Sequence, residues 1–163
     1  MPSSQDQLLT ILQSEDELGL VVRSHIHIES HLMELVDSFF QSPDYLERMN
    51  LGFDQKVSLA QACGLNPQFA APLRVLNKIR NRFAHDLDSI LDCTQVRNLY
   101  ESFSPGNKEV IQGAFHRTEA EDPEPTGKKF KQLDPRNQFV LIVVAFVGFL
   151  EVAIKDARNE PST

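Results

Sequence analysis

The sequence predicts an all-α protein, a helical bundle of about six to seven helices in a single domain spanning residues 1–163. Three observations carry that prediction. Apolar residues recur every three or four positions over long stretches, the period of a helix. Serine, asparagine and aspartate caps, prolines and glycines stand at the ends of those stretches. No run alternates apolar and polar residues as a half-buried strand does.

A first helix is expected over residues 5–13. Ser14-Glu15-Asp16-Glu17 has the spacing of a capping box, in which the Ser14 hydroxyl accepts an amide and Glu17 reaches back. Leu18, Val21, Val22, His25, Ile28, Leu32, Leu35, Val36 and Phe39 then mark a long amphipathic helix over about 15–41. Ser42-Pro43 places a cap before an N1 proline and opens a short helix ending near Asn50. Phe53–Cys63 reads as helical and stops at Gly64, a glycine just past the end.

Asn66-Pro67 begins a turn, and the next helix is expected from Pro72 to about Ala84 or Asp86, because proline sits poorly inside a helix. Helices follow at about 93–103 and 107–118, separated by Ser104-Pro105-Gly106. Residues 119–129, acidic and containing Pro123, Pro125 and Gly127, have the composition of a mobile linker. Asp134-Pro135 caps a last helix through about Arg158. Its apolar run Phe139–Leu150 is about a dozen residues, against roughly 20 needed to cross a bilayer. It is therefore expected to be buried at the bundle centre or in a dimer interface, with Gly148 admitting a close neighbour.

The net charge of −7 disfavours direct binding of duplex DNA, which calls for a basic footprint. The charges are nonetheless segregated. From Gln55 to His85 there is no Asp or Glu, while Lys56, Arg74, Lys78, Arg80 and Arg82 all fall there. Cys63 and Cys93 lack a CxxC partner, and Met1-Pro2-Ser3-Ser4-Gln5-Asp6 lacks the basic-then-apolar pattern of a secretion signal, so a cytoplasmic protein with reduced thiols is expected.

The informative segment is Arg80-Asn81-Arg82-Phe83-Ala84-His85. Arginine holds a phosphate or carboxylate bidentately, and histidine titrates near neutral pH. Projected at about 100° per residue, Leu73, Leu76, Phe83 and Leu87 form an apolar stripe flanked by Ile79 and Ala84, and Arg80 falls inside it. A cation there requires a partner, either an acid such as Glu29 or Glu34 or a phosphate. Asn77 and Asn81 project toward Arg80, whereas His85 on an unbroken helix points about 140° away. Arg80 and His85 can therefore share a substrate only if the helix ends early or a second subunit supplies one of them; alternatively, His85 simply caps carbonyls. His25 lies on the apolar stripe of the long helix and is expected to be a hydrogen-bonded core residue. His27 and His31 have i, i+4 spacing but no third ligand at motif spacing, so no metal or other cofactor is expected.

The stretch Leu76-Asn77-Lys78-Ile79-Arg80-Asn81-Arg82-Phe83-Ala84-His85 resembles the Arg-x4-His signature of the HEPN superfamily, in the form with asparagine after the arginine. That family comprises all-α bundles that typically dimerise so that two motifs face each other. Many members are metal-independent ribonucleases of toxin–antitoxin and antiviral systems, and others bind nucleotides or partner proteins. The resemblance implies a homodimer in which Arg80, Asn81 and His85 are catalytic. Arg74, Lys78 and Arg82 would hold the backbone of single-stranded RNA without reading sequence. Phe53-Asp54-Gln55-Lys56-Val57-Ser58-Leu59-Ala60 and Gly64-Leu65 are more loosely similar to the mannitol-operon repressor group. That likeness implies a non-enzymatic transcriptional regulator acting through a protein partner, such as a transcription factor; in the toxin reading the partner would be an antitoxin.

Overall fold

Capping side chains divide the chain close to where the sequence predicts. The computed structural model describes residues 4–159, of which the great majority are helical, with no strand among the described residues. The helices are α1 (Ser4–Ser14), α2 (Glu17–Asp37), α3 (Asp44–Arg48), α4 (Phe53–Ala62), α5 (Ala70–His85), α6 (Cys93–Glu101), α7 (Pro105–Glu121) and α8 (Pro135–Asn159). Short 3-10 turns precede α5 and α8. The all-α bundle holds, with eight α-helices among the described residues in place of six to seven, α3 being a single short turn.

Several boundaries move, each for a local reason. Asp16, not Ser14, caps α2, its carboxylate accepting the Gly19 amide at 2.6 Å. Ser14 instead closes α1, donating its hydroxyl to the Ile11 carbonyl at 2.8 Å. Helix α5 begins two residues before Pro72, whose missing N–H falls in the first turn, where no intrahelical acceptor is required. Pro105 stands at N1 of α7 behind the Ser104 cap, so that helix starts before the expected 107. Gly64 has φ +100°, a conformation side chains disfavour, and lets the Leu65 amide reach the Ala60 carbonyl at 2.9 Å to close α4.

The expected linker at 119–129 divides in two. Its first residues complete α7, and Glu119 accepts from the Thr126 hydroxyl at 2.8 Å and the Gly127 amide at 3.1 Å, turning the chain back. Phe130 then inserts against the rings of Tyr100 and Phe115.

Helix α8 is the centre of the bundle. Phe139, Val140, Ile142, Val143, Phe146, Val147, Leu150 and Ile154 are all buried, packed mainly against α2 with α1, α6 and α7 around them. The length argument against a membrane span does not survive, because the 25-residue helix is long and apolar enough to cross one. What marks it as a core helix is burial: half of its most apolar window lies inside the fold. Gly148 admits α1 closely, for a Cβ there would lie 2.7 Å from Gln5 Nε2. Arg136 fastens the end of α1 by donating to the carbonyls of Leu12, Gln13 and Glu15.

Candidate functional site

Helix α5 owes its orientation to Pro72, Leu73, Leu76, Ile79 and Phe83, which are buried against the bundle. That stripe is centred roughly 50° from Arg80 at 100° per residue. Arg80 is exposed, which corrects the projection that placed it on the apolar face. In angle Arg80 still lies between Leu73 and Leu76, but towards the end of α5 that side is uncovered: Ala84 is exposed and Leu87, beyond the last turn, is 93% exposed.

Neither acid anticipated for Arg80 is its partner. Glu29 pairs with Lys56 at 2.8 Å, and Glu34 pairs with Arg158 at 2.8 Å. The Arg80 guanidinium donates instead to the Asn81 side-chain oxygen at 3.1 Å, and among the described residues no carboxylate forms an ion pair with it. Arg74 and Lys78 are likewise exposed and, among the described residues, in no ion pair, while Arg82 reaches Asp92 at 3.5 Å. Folding thus trims the basic island from five cations to three, because Glu29 and Asp92 arrive from outside the acid-free stretch.

Helix α5 continues unbroken through His85, with the Asp86 amide still bonded to the Arg82 carbonyl at 3.0 Å. Arg80 and His85 of one chain therefore remain about 140° apart around the axis. His85 instead falls within about 20° of both Arg74 and Lys78, on the solvent face. The line Arg74–Lys78–His85 is one surface with Asn81 at its edge, and Arg80 lies well round the helix from it, about 100° beyond Asn81. The spacings of four and seven residues already encode this alignment in the sequence.

Asn77 does not serve Arg80. Its side-chain oxygen accepts from His25 Nε2 at 3.2 Å, a contact between α2 and α5. His25 is buried as expected, its ring tilted on Phe53 at 4.4 Å and its Nδ1 3.8 Å from Glu29. Burial holds its pKa below the ordinary value; Glu29 and the Asn77 bond oppose the shift, and the charges of Arg80 and Lys56 add to it. The histidine thus lies within the electrostatic reach of Arg80, a link that sequence spacing does not disclose across 55 positions. His31 Nδ1 donates to the His27 carbonyl at 2.7 Å, so within α2 it is engaged with backbone. Cys63 and Cys93 are both free thiols.

Comparison of the chain with family models, curated proteins and solved structures finds no match.

Proposed function

We propose that the exposed face of α5 binds single-stranded RNA and that two copies of the chain form a metal-independent endoribonuclease of the HEPN type. The observation that carries this reading is the set of exposed cations of α5: Arg74 and Lys78 share a face with His85, Arg80 stands about 140° round the helix, and among the described residues none of the three cations has an acidic ion pair on a helix that itself has no acid. Unpaired cations in line along a helix hold phosphates as point charges, whatever the base sequence. Leu87 and Ile90 are exposed directly after His85, which supplies apolar surface where a second chain would have to arrive.

In this site His85 accepts the proton of a ribose 2′-hydroxyl, whose oxygen attacks the adjacent phosphorus. The bond to the 5′-oxygen breaks as that oxygen takes up a proton, leaving a 2′,3′-cyclic phosphate and a 5′-hydroxyl. Arg80 from the facing chain offsets the charge growing on the phosphorane oxygens, and Asn81 orients the phosphate. The substrate supplies the nucleophile, so the reaction needs no metal.

The test is incubation of the purified chain with single-stranded RNA in chelator, with analysis of the product ends. Cyclic-phosphate ends that vanish in Arg80→Ala and His85→Ala are expected. Absence of both RNA binding and cleavage in the wild type would remove this reading and favour the second one, a non-enzymatic regulator of the mannitol-repressor type. The net charge of −7 and the exposed apolar surface around α3 speak for that alternative.

A further inference from the structure

The short helix α3 and the start of α4 enclose an open apolar groove of about 680 Å³, walled by Phe40, Leu46, Met49, Leu51 and Leu59. Phe40 is 42% and Met49 63% exposed, and Tyr45 stands beside them at 64%. A soluble chain that leaves several large apolar side chains contiguous at its surface has a use for them. Nothing in the α5 site explains them, since none lies on that helix.

The charges around the groove are one-sided. Asp54 lines it, and Asp44, Glu47 and Asp37 gather along the flank of α3. Among the described residues none of these four carboxylates forms an ion pair. Burial, then the neighbouring Glu47 and Asp44, push the Asp37 carboxyl upward, so the cluster carries uncompensated repulsion. Of the cations nearby, Arg48 lies over the Tyr45 ring at 4.9 Å, and Arg158, which shares the depression lined by Asp37 and Glu47, pairs with Glu34 at 2.8 Å.

We propose that this groove docks a basic amphipathic helix of a partner protein, its apolar face on Phe40, Leu46 and Met49 and its cations on Asp54, Glu47 and Asp44. An apolar trough bordered by unpaired carboxylates is complementary to a helix carrying leucine-like anchors at i, i+3, i+4 and i+7 flanked by lysine or arginine. The chain's own basic helix does not fit it, because α5 buries its large apolar residues and presents no large apolar anchor beside its cations. The proposal is independent of the RNA reading, as no residue is shared between the two surfaces.

A fluorescent amphipathic peptide of about five helical turns, composed of leucine and lysine, is the probe, titrated with the full chain at physiological salt. Saturable one-to-one binding is expected, weakened about tenfold or more in Met49→Glu and in Phe40→Gln. Asp54→Asn and Glu47→Gln should weaken binding and flatten its salt dependence, while Val152→Glu, an exposed apolar position on α8, should leave it unchanged. The proposal falls if Met49→Glu and Phe40→Gln bind the peptide as well as wild type, or if a leucine–glutamate peptide binds equally. It also falls if sedimentation shows a dimer that Met49→Glu dissociates, for then a second copy fills the groove. RNA binding measured on Met49→Glu keeps the two proposals apart, since it should equal that of the wild type.

Discussion

His25 Nε2 donates to Asn77 Oδ1 at 3.2 Å, joining the buried face of α2 to the helix that carries Arg80 and His85. Asn77 precedes Arg80 by three positions and Asn81 by four, so this bond sits one turn below the candidate site, on the same side of α5 as Arg80. It sets how α5 rotates and slides on α2.

Removing either partner leaves a largely buried polar group unmet. His25→Ala and Asn77→Ala should each lower unfolding stability by about 1–3 kcal/mol in urea titrations. The double variant should cost less than the sum of the singles, a coupling of about 1 kcal/mol. Additive losses would show that the contact contributes nothing of its own.

Stability should also depend on pH through His25. Its folded pKa lies below the ordinary 6.5, so the unfolded chain binds more protons across that interval. The contribution is complete above about pH 6.5 and is lost as pH falls from there through the folded value. The acidic limb of a denaturation midpoint against pH should flatten in His25→Gln. The groups facing His25 are Glu29, Lys56 and Arg80. Glu29→Gln should lower the folded pKa further, measurable by NMR titration of the ring.

Mixed dimers test the geometry of catalysis. If each site takes Arg80 from one chain and His85 from the other, an Arg80→Ala chain and a His85→Ala chain together form one intact site per mixed dimer. A statistical mixture should then recover about a quarter of wild-type cleavage from two inactive preparations. No recovery would place both groups of a site in one chain, against the unbroken helix.

Arg74→Ala and Lys78→Ala should weaken RNA binding evenly across sequences. Each lost phosphate contact should reduce the slope of log affinity against log salt by about 0.7. A change confined to particular sequences would mean that these side chains read bases and not the backbone.

Much of the architecture was legible because it is written locally. The Gly64 end of α4 and the aspartate before α8 act within a turn of where they stand, so spacing alone reveals them. The errors also arose locally. Ser14 and Asp16 compete as caps within three residues, and only the direction the chain takes after α1 decides between them. Leu87 was counted in a helical stripe because its spacing fits, but the helix stops two residues short of it. With Leu87 and Ala84 exposed, the side of α5 that carries Arg80 is uncovered near the helix end, and the argument for a buried arginine fails.

The sequence by itself determined the helical class, the buried central helix, the basic helix and the Arg80–His85 spacing, because periodicity, capping and composition depend on neighbours along the chain. The tertiary structure alone decided which charges remain available. Glu29 neutralises Lys56 across 27 positions and Asp92 reaches Arg82, leaving Arg74, Lys78 and Arg80 without ion pairs among the described residues. It also turned Asn77 from a phosphate ligand into the acceptor for His25. Such pairings join residues far apart in sequence, and no helical period encodes them. They follow from how α2, α4 and α5 pack, which is why the arginine's surroundings became visible only in three dimensions.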